Sequence, residues 1–197
     1  MFISLEGTEG VGKSTLIQGL QDYFSQNGKE VIITREPGGT PLAEDIRKLL
    51  VHTHQEKMDN HCELLLIYAA RSQHIAQVIL PALQHGKVVL SDRFVDASFA
   101  YQCAGRGVDL EKISALNEQF VSILPDLTFW LDAPIELGLQ RALQRGQLDR
   151  FEQEKYDFFA KVHAGYQELY ENYPERIKRL DATQQAEQVL QQALTYL

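Results

Sequence analysis

The sequence predicts an α/β domain in which a five-stranded parallel sheet carries helices on both faces. Three observations predict it. Short apolar runs alternate with longer helical patterns along the chain, and a glycine-rich segment joins the first run to the first helix. No linker, internal repeat or low-complexity tract divides the 197 residues, so 1–197 reads as one domain. With 44% hydrophobic residues the chain can bury a core of ordinary size.

Phe2-Ile-Ser-Leu5 is short enough for a buried strand. Leu16, Ile17, Leu20, Tyr23 and Phe24 then recur at helical spacing, stopped by Asn27-Gly28. Val31–Thr34 is the second strand, and Thr40-Pro41 opens a helix with threonine as N-cap. A helical region runs from about Met58 to His85, with a kink expected at Pro81 and an end at Gly86. Val88–Ser91 and Leu127–Leu131 are strands three and four, and Arg179-Leu180 a short fifth. Helical patterns fill 95–103, 109–123, 134–144, 155–172 and 184–197. In such a sheet, ligands bind beyond the carboxyl ends of the strands.

Composition excludes several function classes. No stretch approaches 18 consecutive apolar residues, which argues against a membrane span, and the N-terminus lacks a basic lead followed by a long apolar stretch. A net charge of −8 argues against nucleic-acid binding through bulk positive charge. Cys62 and Cys103 cannot form a disulfide framework, so a reducing cytoplasm is expected. His52, His54, His61 and Cys62 crowd one region without the spacing of a zinc site.

Gly7-Thr-Glu-Gly10-Val-Gly12-Lys13-Ser14 fits G-x-x-x-x-G-K-[ST] at every fixed position, between a strand and a helix. Glycines let backbone N–H groups converge on phosphate oxygens, and the helix N-terminus adds positive potential. The segment predicts the P-loop NTPase fold and a nucleoside triphosphate site spanning Gly7, Thr8, Glu9, Gly10, Val11, Gly12, Lys13, Ser14 and Thr15. Lys13 would reach the β- and γ-phosphates, and the Ser14 hydroxyl would hold Mg²⁺. The second metal-side carboxylate is Asp92 or Asp132, both at strand ends. Asp92 is favoured, because Asp132 precedes Ala133-Pro134 and reads as a helix cap.

Arginines fall at element ends around the expected crevice: Arg35, Arg47, Arg71, Arg93 and Arg106, then Arg141, Arg145 and Arg150. Transfer between two polyanions needs such groups, because donor and acceptor repel each other. Arg176 and Arg179 read as solvated surface charges. Glu9, inside the phosphate loop, is unfavourable beside ATP oxygens unless it faces away from them: it is either a solvent-facing loop residue or points across the crevice, where a sugar hydroxyl can donate to it.

Glu9 in the loop, Thr34-Arg-Glu-Pro-Gly-Gly-Thr40, Tyr68-Ala-Ala-Arg71, Asp92-Arg-Phe94, Ala100-Tyr-Gln102 with Gly105-Arg-Gly107, and Arg145-Gly-Gln-Leu-Asp-Arg150 occur in order. Over essentially its whole length the chain resembles the bacterial thymidylate kinases. The resemblance implies transfer from ATP to dTMP with Mg²⁺, in a cytosolic homodimer that binds neither membrane nor nucleic acid. It implies that Arg93 and Arg35 clamp the acceptor phosphate, that Arg71 meets the thymine edge, and that Ser98 and Gln102 hydrogen-bond the base. By the same resemblance Tyr101 crowds the 2′ position, Pro37 and Arg47 complete the pocket, and Glu9 and Glu36 lie near the sugar. A mobile lid over 141–155 would bring Arg145 and Arg150 onto the transferring phosphoryl group, with Arg141 on the ATP side. Family members often carry phenylalanine where this chain has Ile67, so either Ile67 or Tyr68 packs on thymine. Leu143 stands where relatives can have another lid arginine, and Gly10 stands where the eukaryotic type has arginine. The competing readings are another small P-loop kinase, acting on a deoxynucleoside or a different monophosphate, and a regulatory nucleotide switch.

Overall fold

The computed structural model describes residues 1–145 and 149–197, with Arg145 described by its backbone alone. Strands β1 (Phe2–Glu6), β2 (Val31–Arg35), β3 (Val88–Asp92), β4 (Leu127–Asp132) and β5 (Ile177–Asp181) form one sheet. Their order is β2-β3-β1-β4-β5, and every neighbouring pair is parallel. The fifth strand spans five residues, longer than the Arg179-Leu180 pair that predicted it.

Both faces of the central strands are buried, as short continuous apolar runs require. Ile3, Leu5, Leu90, Phe129 and Leu131 pack with α1 (Lys13–Gln26) and α9 (Ala186–Leu194) on one face. On the other face Phe2 and Val89 meet Ile75 and Ile79. Further along that face Trp130 meets Phe159, Val162 and Tyr166 of α8 (Tyr156–Asn172).

Helix α2 (Pro41–Val51) starts as its sequence predicts: Thr40 Oγ1 accepts from Ala43 N at 3.1 Å, with Pro41 in the first turn. Helix α3 (Asn60–His74) is capped by Asp59. The irregularity expected at Pro81 comes earlier. Ile75–Ile79 forms a π turn in which Leu80 N–H reaches back to Ile75 O, and Pro81 falls in the first turn of α4 (Leu80–Gln84). The wider turn removes the conflict between the proline ring and a regular hydrogen-bond ladder. The helix expected over 95–103 likewise divides into α5 (Val95–Ser98) and a π segment, Phe99–Gly105. Helices α6 (Leu110–Phe120) and α7 (Ile135–Arg145) complete the set.

Arg176 is not the solvated charge that its sequence position suggested. Its two terminal nitrogens donate to Asp96 at 2.6 and 2.8 Å, and Asp96 is buried. An inward carboxylate on α5 needs a cation, and Arg176 supplies it. Asp132 accepts from Arg179 Nε at 2.8 Å and pairs with His163 at 2.6 Å, and among the described residues no backbone N–H of α7 donates to it. Arg179 is thus tied to the end of β4 while remaining half exposed.

Candidate functional site

The carboxyl ends of β1, β2 and β3 open on one cavity of about 530 Å³. Parallel pairing puts Leu5 of β1 beside Asp92 of β3, and Arg35 of β2 on the other side of Asp92. The loop after β1 and the loop after β3 are therefore neighbours at the sheet's crest.

At the first end of the cavity, residues 9–15 wrap the start of α1 and line the wall. Gly7 and Thr8 lie behind, their carbonyls accepting from Lys13 Nζ at 3.2 and 2.9 Å. Burial pulls the Lys13 ammonium down to about 8, assisted by Arg93 and opposed by Asp92, Glu9 and Glu6. The loop is braced by α7 through two glycines. A Cβ on Gly10 would overlap the Gly138 carbonyl, and one on Gly138 would lie 2.5 Å from Glu9 O. This backbone-on-backbone approach leaves Arg141, one turn beyond Gly138, on the cavity wall. It also leaves no room for an arginine at Gly10.

In the middle are Asp92 and Arg93. Among the described residues Asp92 Oδ1 is buried without a hydrogen-bond partner, and Asp92 lines the same cavity as Ser14. An orphaned carboxylate oxygen and a helix-start hydroxyl lining one cavity are donors that suit a hard divalent cation such as Mg²⁺. Arg93 holds φ +70°, a left-handed backbone that non-glycine residues rarely adopt. Its Nη2 donates to Glu9 Oε1 at 2.9 Å and its Nη1 to Tyr166 Oη at 3.1 Å, with its guanidinium over the Tyr101 ring. Tyr101 Oη also donates to Glu9 Oε1 at 2.8 Å. Glu9 thus points across the crevice, and its other oxygen has no partner among the described residues.

Beneath Arg93, Glu6 is fully buried. It accepts from Phe94 N and from Tyr166 Oη, each at 2.7 Å. Burial, then Asp96, push its carboxyl up to about 8, against the opposing pull of Arg93 and the two hydrogen bonds. The folded chain therefore holds a proton that the unfolded chain releases near 4.5. Stability from this group is complete below that value and is lost as pH rises toward 8. The melting temperature should fall across this window in the wild type and fall less in Glu6→Gln. Identical profiles for the two proteins would remove Glu6 as the source.

At the far end the residues expected to meet a base gather around Arg71, which is buried. Its Nε donates to Glu36 Oε2 at 2.7 Å, Nη1 to Ser98 Oγ at 3.0 Å and Nη2 to Phe94 O at 3.1 Å. Ile67, Ser98, Gln102, Pro37 and Arg47 line the cavity here. Tyr68 does not: its ring lies under the Arg71 guanidinium and its hydroxyl donates to Asn117 Oδ1.

Two expected arginines are placed differently, and the side chain of a third lies outside the described residues. Arg35 is half exposed and pairs with Glu44 at 2.8 Å, away from the cavity lining. It lies on the outer face of an edge strand, where side chains alternate between core and solvent. Arg150 is turned from the phosphate loop: its Nε donates to Leu50 O and its Nη2 pairs with Glu63, both at 2.7 Å. The Arg145 side chain, and residues 146–148 of the expected lid, lie outside the described residues. From the lid segment Asp149 and Phe151 reach the cavity wall.

Glu63 was not singled out by its sequence, yet it is a hub. It accepts from Gln102 Nε2 at 2.9 Å and from Arg106 Nε at 3.2 Å, besides pairing with Arg150. Removing it leaves Arg106 with Glu154 and Arg150 with the Leu50 carbonyl, each short of one charged partner, so Glu63→Ala should cost about 1–3 kcal/mol in chemical denaturation. A loss under 1 kcal/mol would show that these cations find water instead. Tyr166, Glu6 and His74 were missed for the same reason: each acts through partners distant in sequence.

The thymidylate kinase family model matches residues 5–193. The chain is 64% identical to thymidylate kinase of Acinetobacter baumannii (strain AYE) over the full length of both chains. It is 52% identical to that of Alkalilimnicola ehrlichii over 96% of this chain and 88% of the relative. The crystal structure of thymidylate kinase from Ehrlichia chaffeensis superposes with a TM-score of 0.79 at 31% identity, covering 99% of this chain and 97% of the other. With the phosphate loop, the strand-end Asp92-Arg93 and the buried Arg71 fork sharing one cavity, this chain belongs to the thymidylate kinase family.

Proposed function

We propose that the chain transfers the terminal phosphoryl group of ATP to the phosphate of dTMP, giving ADP and dTDP. One observation carries the reading: a single cavity joins the Lys13 phosphate loop to the Arg71 fork, with Arg93 between them. The loop cradles ATP, Arg93 meets the acceptor phosphate, and Arg71, Ser98 and Gln102 read the base. Ser14 and Asp92 would hold Mg²⁺, which neutralises charge on the donor phosphates when bound. The acceptor oxygen belongs to a phosphate monoester already largely dianionic near neutral pH, with a second pKa of about 6. A strong general base is therefore unnecessary, and positioning with charge stabilisation suffices. In this reading Lys13 and the loop amides steady the donor while Arg93 offsets repulsion from the acceptor. Arg141 and Arg145 complete the cage from α7, and Arg150 joins only if it leaves Glu63.

A homodimer is part of the reading. Helices α2 and α3 carry exposed Leu42, Leu49 and Leu65, apolar surface that a second copy would cover. Among the described residues no helix is long and apolar enough to cross a membrane. Two free cysteines suit a reducing cytoplasm.

The test is ADP formation from Mg·ATP against dTMP, dUMP, dCMP, dGMP, AMP and free thymidine. Strong preference for dTMP with thymidine silent is expected. Turnover of thymidine, or of a purine monophosphate in its place, would overturn the acceptor assignment and leave only the phosphate-loop half standing.

A further inference from the structure

His74 is wholly buried on the last turn of α3, one turn beyond Arg71, and no step described above uses it. Its Nδ1 lies 2.9 Å from Glu36 Oε1 and its Nε2 lies 2.6 Å from Thr34 Oγ1. The same Glu36 accepts from Arg71 Nε at 2.7 Å through its other oxygen. An ionised Glu36 can only accept, so Nδ1 carries the proton. In the neutral ring Nε2 then accepts from the Thr34 hydroxyl, which fixes one tautomer and one ring orientation. A Cβ on Gly39 would lie 2.5 Å from His74 Cδ2, so the turn after β2 closes over the ring and leaves it no second position.

We propose that His74 is a positioning residue for base recognition: through Glu36 it sets the direction in which the Arg71 fork presents its remaining N–H groups to the cavity. The inference rests on the dTMP reading above. A guanidinium has five N–H donors, and three are bound here to Glu36, Ser98 and Phe94 O. The remaining two are on Nη1 and Nη2, and the guanidinium that carries them packs against the Tyr68 and Phe94 rings, with centroids 4.8 and 5.5 Å from Cζ. Fixed donors of this kind favour a base edge that offers a carbonyl and reject one that offers an amino group, whose own donors would face them. Without the His74 anchor, Glu36 can rotate about its χ angles and take Arg71 Nε with it, blurring that discrimination. His74 holds the Glu36 oxygen that Arg71 Nε does not use and is not among the residues lining the cavity, so its loss should leave the phosphate loop and Arg93 untouched.

The experiment is steady-state kinetics with dTMP and dCMP on the wild type, His74→Leu, His74→Asn and Thr34→Val. His74→Leu should raise the KM for dTMP about 10-fold and shrink the dTMP-to-dCMP ratio of kcat/KM by a similar factor, with kcat at saturating dTMP within about two-fold. His74→Asn keeps a donor near the Nδ1 position and should recover most of the loss. Thr34→Val keeps the branched shape of the strand residue and should raise KM about three-fold, which tests the relay even if His74→Leu fails to fold. Loss of kcat and of folded protein in the histidine variants, with unchanged KM and unchanged discrimination in all three, would make His74 a packing residue and overturn the proposal. A wild type that shows no preference for dTMP over dCMP would instead overturn the substrate reading, a separate failure visible before any variant is made.

Discussion

Lys13→Met should lower kcat by about 10²–10³-fold while leaving the melting temperature unchanged or higher. The two halves of that expectation have one cause. Lys13 is nearly sealed from solvent, and among the described residues its ammonium donates only to the Gly7 and Thr8 carbonyls; burial, with Arg93 nearby, holds its proton at about 8 against an ordinary 10.5. Near neutral pH that displacement represents roughly 3 kcal/mol of folding stability forgone. Methionine keeps the length and packing of the stem and carries no charge, so the fold no longer bears this cost. The same desolvated charge is worth most when phosphate oxygens replace the missing water, because the site is dry and the donor is already in place. A variant that melted several degrees lower while turning over at the wild-type rate would contradict both halves: Lys13 would then be a structural tie for the loop.

Much of this arrangement is legible in the chain before any coordinates. The sheet is, because Phe2–Leu5, Val88–Ser91 and Leu127–Leu131 are short runs whose two faces are both apolar, and such runs fit parallel strands covered on both sides. The phosphate loop is legible because its chemistry is local: glycines, lysine and serine act within one turn of each other. What escapes is what depends on distant partners. Tyr166 joins Glu6 across 160 residues, and Arg176 joins Asp96 across 80. Nothing near Arg176 in the sequence distinguishes it from a surface arginine.

Arg35 differs, since the direction its side chain takes has a local signal. Along Ile33-Thr34-Arg35-Glu36 exposure alternates out, in, out, in, which places Thr34 and Glu36 on the His74 side and Arg35 on the solvent side. Position at a strand end gave Arg35 its reach toward the crevice, but the period of two decides its direction. Arg150 is subtler: its segment was expected over the phosphates, yet Glu63 draws it behind Gln102, because a carboxylate buried on α3 must collect the cations within reach.

Arg93→Ala should raise the KM for dTMP by about 100-fold, roughly 3 kcal/mol, the upper range for losing charge-assisted hydrogen bonds to a dianion. The backbone at Arg93 holds φ +70°, a cost that alanine shares with arginine, so the substitution removes the guanidinium without relaxing the turn. Among the described residues it also leaves Glu9 with Tyr101 as its one remaining partner, and stability should drop alongside affinity. The two effects separate in the double variant. Adding Glu9→Gln removes the stranded negative charge and should restore most of the melting temperature, while the KM for dTMP stays high because nothing has replaced the cation. If Glu9→Gln instead rescued KM, the damage in Arg93→Ala would come from repulsion between Glu9 and the acceptor phosphate. Arg93 would then act as the counter-charge that makes a carboxylate tolerable there, and the clamp on the phosphate would have to be sought in Arg47, already on the same wall.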